Sequence, residues 1–232
     1  IGTAYVAKSP ADGYTFIFVF DYHAVNPFVI PNLPFDTAKD LAPVMLIGTA
    51  PMAIATAVGK PYKTFTDVVA AAKAKPGALS IGSVGNGSLG HLTMVLVQQT
   101  AGIRLIHIPY KGGTSVMNVI AGESHMTIVP GPSAMTHVRA GRVRVLGTGG
   151  DKRSPLTPDI PTIAEAGLPG YLSTGWAGLM APKGLPKPLF DKMYASFEKM
   201  MRDPATRDLF MKQGADPIFT TPVEMVAMIE AE

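Results

Sequence analysis

The sequence contains no cysteine, which excludes disulfides, a thiolate nucleophile and Cys-based zinc sites. Such a chain is at ease in an oxidising compartment, although the absence alone fixes none. Charged residues are sparse, at 16% against 47% hydrophobic, which excludes a disordered polyelectrolyte. Apolar runs long enough to span a bilayer are also missing. The net charge is +3, but the basic residues stand singly and no aromatic-interleaved basic cluster forms. Nucleic acid is therefore not expected as a partner, and a small anionic ligand fits the mild positive balance. The histidines at 23, 107, 125 and 137 lack metal-ligand spacing, so neither a metal nor another cofactor is expected.

What is present is a β-rich apolar pattern alternating with helical periodicity over 232 residues, enough for one large domain or two of about 100 residues each. The order predicts α/β with parallel strands. TFIFVF (15–20) and a segment around 44–58 read as strands, and Thr66 to Lys75 reads as a helix stopped by Pro76 and Gly77. LSIGS then leads through a glycine loop into a helix with Leu89, Leu92, Leu96 and Gln99 at helical spacing. The order repeats: IRLIHIP, YKGGTS and a helix from Ser115 to Ala121; HMTIV, PGPS and a helix ending at Gly141; then the strand VRVLG. Residues 152–171 read as a connection carrying one short helix, STGWAGLMAP (173–182) as a strand, and 186–201 and 204–213 as helices. Thr221, Pro222 and Glu224 open a last helix through a capping box.

Inside GSVGNGSLGH (82–91) the glycines spell G-x-G-x-x-G, a pattern that invites a dinucleotide reading. That reading needs an acidic residue about 20 positions on, and residues 104–113 contain none. A phosphate-binding P-loop fails as well, because no Lys follows Gly87. Ser88 and His91 suggest a hydrolase, yet no nucleophile elbow surrounds the serine and no acid orients the histidine. Ser88 reads better as a helix N-cap, its hydroxyl serving backbone N–H groups or a ligand oxygen. His91 is either a packing residue or a ligand contact. The loop's backbone amides, Gly85 to Ser88, are suited to cradling a carboxylate or phosphate without a charged side chain, which is the chemistry of binding and release. The alternative is that the glycines merely make a tight turn. Three strand ends meeting three such loops place all of them on the carboxyl edge of a parallel sheet, where ligands bind.

Along essentially its whole length the chain resembles the substrate-binding receptors of tripartite tricarboxylate transporters, the Bug-type periplasmic proteins. The motifs that carry the resemblance are AKSPADGYT (7–15), HAVNP (23–27), LPFDTAKDLAPV (33–44), AKAKPGALSIGSVGNGSLGHL (72–92), HIPYKGG (107–113), PSAMTHVRAGRVRVL (132–146), KRSPLTPDIPTIAEAGLPGY (152–171), GWAGLMAPKGLPKP (175–188) and GADPIFTTPVEMVAMI (214–229). The resemblance implies a two-lobe Venus-flytrap α/β fold with the ligand cleft between lobes. The central lobe would span 54–174 and the split lobe 1–53 with 175–232, crossing strands falling near 50–56 and 172–178. It also implies that a ligand carboxylate is gripped, partly through water, by a β-α loop from each lobe.

The central-lobe loop matches Ser83, Gly85, Asn86, Gly87 and Ser88, with His91 beside it. Further contacts are expected from Asp21, Tyr22, His23 and Asn26, from Tyr110, Lys111, Gly112 and Gly113, from Pro130 and Gly131, and from Trp176. Tyr22, Tyr110 and Trp176 either line the cleft or pack at hinge and core; Lys111 either attracts the anion or is a solvated lysine. Asp21 would repel a second carboxylate unless a cation or water intervenes. The family's first strand-helix-strand unit is expected ahead of Ile1, together with a signal peptide, and its last helix is expected to run past Glu232. The implied function is that of a monomeric periplasmic receptor, not an enzyme, which hands a small organic carboxylate to membrane transporter subunits. A ligand-sensing module that reports to a membrane-bound signalling partner needs the same residues.

Overall fold

The computed structural model describes residues 1–155 and 157–231. Leu156, within the expected connection, and Glu232, the end of the expected split lobe, lie outside the described residues. In chain order the elements are α1 (Gly2–Ala7), β1 (Ile17–Phe20), α2 (Tyr22–Val29), β2 (Leu41–Ala57), α3 (Phe65–Ala74), β3 (Ser80–Ser83), α4 (Leu89–Ala101), β4 (Ile106–Pro109), α5 (Ser115–Ala121), β5 (Met126–Pro130), α6 (Gly131–Arg139), β6 (Val143–Thr148), β7 (Thr174–Pro182), α7 (Lys187–Arg202), α8 (Pro204–Gln213), β8 (Asp216–Pro217) and α9 (Pro222–Ala231). Contacts group them into two units, one of Ile1–Thr49, Trp176–Lys212 and Asp216–Glu232, the other of Ala50–Gly175 with Gln213–Ala215. The chain passes from one to the other inside β2, inside β7 and again on either side of Gln213–Ala215.

In the first unit β1 runs antiparallel to β7, which lies next to β2, and β2 in turn pairs antiparallel with β8. Side chains alternate between the two faces, as the period-two geometry of a strand requires. Trp176 and Met180 of β7 join Val6, Val19, Leu46 and Met225 in one core, while Leu179 and Ala181 join Val44, Met45 and Met201 in another. Helices therefore cover both faces. Phe16 and Phe18, on the second face, meet Phe197 of α7 edge to face at 5.9 and 6.3 Å. The last helix starts as its capping box dictates: Glu224 N–H donates to Thr221 Oγ1, and Thr221 N–H donates to Glu224 Oε2 at 2.7 Å.

The second unit is built on the order β6-β2-β5-β3-β4. Strands β3, β4 and β5 are parallel, as expected. β2 departs from the expectation, for it runs antiparallel to both β5 and β6. Ile54, Ile81, Ile128 and Leu146 face α3 and α4 in one core. Ala53, Ala55, Val129 and Val145 form the other with Val116 of α5 and Ala134 of α6. α3 is fixed at its start by reciprocal Thr64 and Asp67 bonds, and α4 ends on Gly102 in the left-handed conformation.

The short helix expected between 152 and 171 is not formed among the described residues. Its caps are present, Thr162 N–H donating to Glu165 Oε2 and Glu165 N–H to Thr162 Oγ1. The chain nevertheless stops after one turn, because Thr162 bridges to Thr148 and Gly167 takes a φ of 116° that a helix cannot continue through. Conversely, α1 and α2 carry no side-chain cap, and α2 contains Pro27. Nothing local announced them.

Candidate functional site

The register pairs Ser83 with Pro109 and Gly82 with Thr127, so β3, β4 and β5 end together at one edge of the second unit's sheet. Each then enters a helix: α4 after Ser83–Ser88, α5 after a tight turn over Gly112–Thr114, and α6 directly at Gly131. This carboxyl edge collects helix N-termini, whose unpaired N–H groups and dipoles favour an anion.

In the first loop the glycines divide their work. Gly85 and Gly87 hold φ of 137° and 74°, conformations that a side chain disfavours. Gly90 lets α4 approach β5: a Cβ there would lie 3.0 Å from Ile128 O. Ser88 is the N-cap, accepting from His91 N–H at 3.3 Å while its hydroxyl donates to Gly85 O at 2.7 Å. Ser83 is fully buried. Its Oγ accepts from Gly85 N–H at 3.1 Å and lies 2.7 Å from His107 Nε2. Gly87 N–H donates to His91 Nδ1 at 3.2 Å. The imidazoles of His91 and His107 stack, with centroids 4.1 Å apart and planes 3° from parallel. Burial first, and the neighbouring His91 second, hold His107 below its usual 6.5.

The amide cradle therefore differs from the expected one. The N–H groups of Gly85 and Gly87 are engaged by Ser83 and His91, and that of Ser88 points to Gly85 O at 3.4 Å. Those of Asn86, Leu89 and Gly90 have no protein acceptor among the described residues. The open donors thus sit at the exposed tip and in the first turn of α4.

Tyr110 follows β4, its N–H donating to Ser83 O at 3.0 Å. Its ring covers Gly82, where a Cβ would come within 2.7 Å of it. Lys111 and Gly113 are exposed, and Gly112 lies in the turn before α5. Pro130 and Gly131 are half-buried, Gly131 close to Pro51 O. Sequence reasoning missed His107 as a loop partner: it lies 24 positions from Ser83 with no local signal. The spacing of Gly87 and His91, four apart across a helix start, was a readable signal.

In the first unit Asp21 is buried and precedes α2, Tyr22 is partly exposed, and Asn26 is half-buried. Burial first and Asp21 second raise the Tyr22 phenol above its usual 10. His23 is buried, its Nδ1 lacks a partner among the described residues, and desolvation lowers its pKa. Trp176 is 5% exposed and packs in the core with Val19 and Met180, the packing role that the sequence had left open. Among the described residues no group of three metal-ligating side chains comes together, and no helix is long and apolar enough to cross a membrane.

A broad depression of about 850 Å³ lies in the second unit, lined by Val58, Lys63, Phe65, Arg144, Arg153 and Glu165 among others. Thr56 pairs with Met126, the first residue of β5, which puts this depression at the opposite end of the sheet from the loops. Two of its cations are engaged, Arg153 by Glu165 and Arg144 by Tyr62 O, and it lies away from the loops that form the candidate anion site.

Comparison with known proteins matches residues 1–232 to the tripartite tricarboxylate transporter family receptor. Protein BugT of Bordetella pertussis is 32% identical over 235 residues, covering all of this chain and 72% of that protein. A UPF0065 protein from the tcbD-tcbE intergenic region of Pseudomonas sp. (strain P51) is 32% identical, covering 100% and 70%. Among solved structures, an R. palustris protein with adipate is 32% identical with a TM-score of 0.95, over 99% of this chain and 77% of that one. The periplasmic binding protein BugD gives 25% and 0.90, over 99% and 78%. The fold is thus the mixed α/β fold of Bug-type periplasmic binding proteins. The matched family is one of solute receptors, which are not enzymes.

Proposed function

Because this chain belongs to the tripartite tricarboxylate transporter receptor family, we propose that it is a periplasmic receptor that binds a small organic carboxylate and delivers it, as a monomer, to the membrane subunits of a transporter. The observation that carries the reading is the β3–α4 loop, where open N–H groups at a helix start meet a loop free of charged side chains. Such donors stabilise a carboxylate by hydrogen bonds and dipole without a buried counter-ion. Release then requires no ion pair to be broken, as a carrier needs.

The R. palustris relative with adipate supports a carboxylate as the ligand class and makes adipate the first probe. Calorimetric titration of the protein with adipate and a panel of mono- and dicarboxylates tests the binding step. Saturable heat from at least one carboxylate, with a raised melting temperature, is expected. No binding across the panel would sink the reading. Uptake by vesicles bearing the membrane subunits, stimulated by the receptor, tests delivery.

A further inference from the structure

We propose that His91 is the positioning residue of the carboxylate loop: with Nδ1 accepting from Gly87 N–H and its ring stacked on His107, it holds the loop in the shape that leaves the Asn86, Leu89 and Gly90 N–H groups for the ligand. This rests on the carboxylate-binding reading. The loop is held at two points. On the strand side, Ser83 Oγ accepts from Gly85 N–H and touches His107 Nε2. On the helix side, His91 Nδ1 takes Gly87 N–H while His91 N–H is itself fixed by Ser88 Oγ. The stack joins the two points, so the loop is clamped between β4 and α4 by paired imidazoles.

An N–H donor opposite Nδ1 requires that nitrogen to be bare, which assigns the proton of the neutral ring to Nε2. Gly87 has a positive φ and lacks side-chain packing, so without the acceptor its peptide is free to turn. The open donors flank it on both sides in sequence. Turning that peptide would move the Asn86 carbonyl, an oxygen that repels a carboxylate.

Two substitutions separate the acceptor from the ring. His91→Asn places Oδ1 near the position of Nδ1 and removes most of the stack; His91→Phe keeps the stack and removes the acceptor. His91 is half-buried, so both should fold, and His91→Leu is a second acceptor-free variant. Adipate titration and hydrogen exchange at the Gly87 amide are read together. His91→Phe is expected to weaken adipate about tenfold, the scale of one lost hydrogen bond, and to speed Gly87 exchange. His91→Asn, which keeps an acceptor but loses most of the stack, should fall between His91→Phe and wild type in both. Wild-type exchange and affinity in His91→Phe and His91→Leu would overturn the proposal, as would His91→Asn failing as badly as His91→Phe. Should wild type bind no adipate or other carboxylate, the functional reading falls, while Gly87 exchange still decides whether His91 pins the loop.

Discussion

Gly149 offers the sharpest test of how the second unit is held. Its N–H donates to Met52 O at 2.8 Å, Ser173 N–H donates to Gly149 O at 2.8 Å, and Met52 N–H donates to Ser173 O at 3.0 Å. A Cβ on Gly149 would lie 2.3 Å from Ser173 O and 3.0 Å from Ser173 C and Cβ. An ordinary carbon–oxygen contact is about 3.3 Å, so Gly149→Ala must push one backbone about 1 Å from another. No flexible side-chain end is available to yield. Overpacking costs about 3 kcal/mol at the upper end of its usual range. Losing the two bonds made by Ser173 adds about 1 kcal/mol each. The gain from a stiffer unfolded chain offsets less than about 1 kcal/mol. The net is about 4 kcal/mol, or a fall of about 10 °C in melting temperature for a chain of this size. Far-UV circular dichroism melts read it, with Gly59→Ala, where nothing lies within 4 Å of the new Cβ, as the near-neutral control. A Gly149→Ala protein melting within about 2 °C of wild type would refute the reasoning.

Gly87→Val places a β-branched residue at a φ of 74°, at a cost of about 1–2 kcal/mol, and should lower adipate affinity at least about tenfold in calorimetry; unchanged affinity removes the loop from the site. Stability should also fall in mild acid. Burial lowers the pKa of His23, His107 and His125 below the usual 6.5, so the unfolded chain binds protons more readily than the folded one. Their contribution is complete above about pH 6.5 and is lost as pH falls through that value to the lowered ones. Urea midpoints at pH 8, 6.5 and 5.5 should decline in that order, and a flat series would contradict the assignment of these rings as neutral in the folded state.

What could be read in the sequence was local. The helix from Ser115 to Ala121, the cap at Ser88 and the capping box at Thr221 depend on a few adjacent residues, and they fold as their chemistry requires. Direction and facing were not local. The apolar run of β2 does not encode which way it pairs, and its antiparallel setting emerges only beside β5 and β6. In α4 the leucines at helical spacing, Leu92 and Leu96, are 37% and 39% exposed, whereas Gly90, Thr93, Met94, Val97 and Ala101 are buried. Close approach of Gly90 to Ile128 turns that face inward and leaves the two leucines outside it. The site divides likewise: the glycine loop and the Gly87–His91 spacing were legible, but the Gly85 N–H bond to Ser83, buried at a strand end, and the contact of Ser83 with His107 of the next strand were not.

The packing of Trp176 has a spectroscopic consequence. It is the chain's one tryptophan, and it lies in the core of the first unit among Val6, Leu46 and Met225. Excited at the red edge of aromatic absorption, the protein reports through that indole alone: blue-shifted emission while this core is closed to water, red-shifted once it opens. The second unit, which carries the glycine loop, has no tryptophan and is silent at that wavelength. Fluorescence thus follows one unit while far-UV ellipticity follows both, so any temperature gap between the two signals directly measures how independently the units melt.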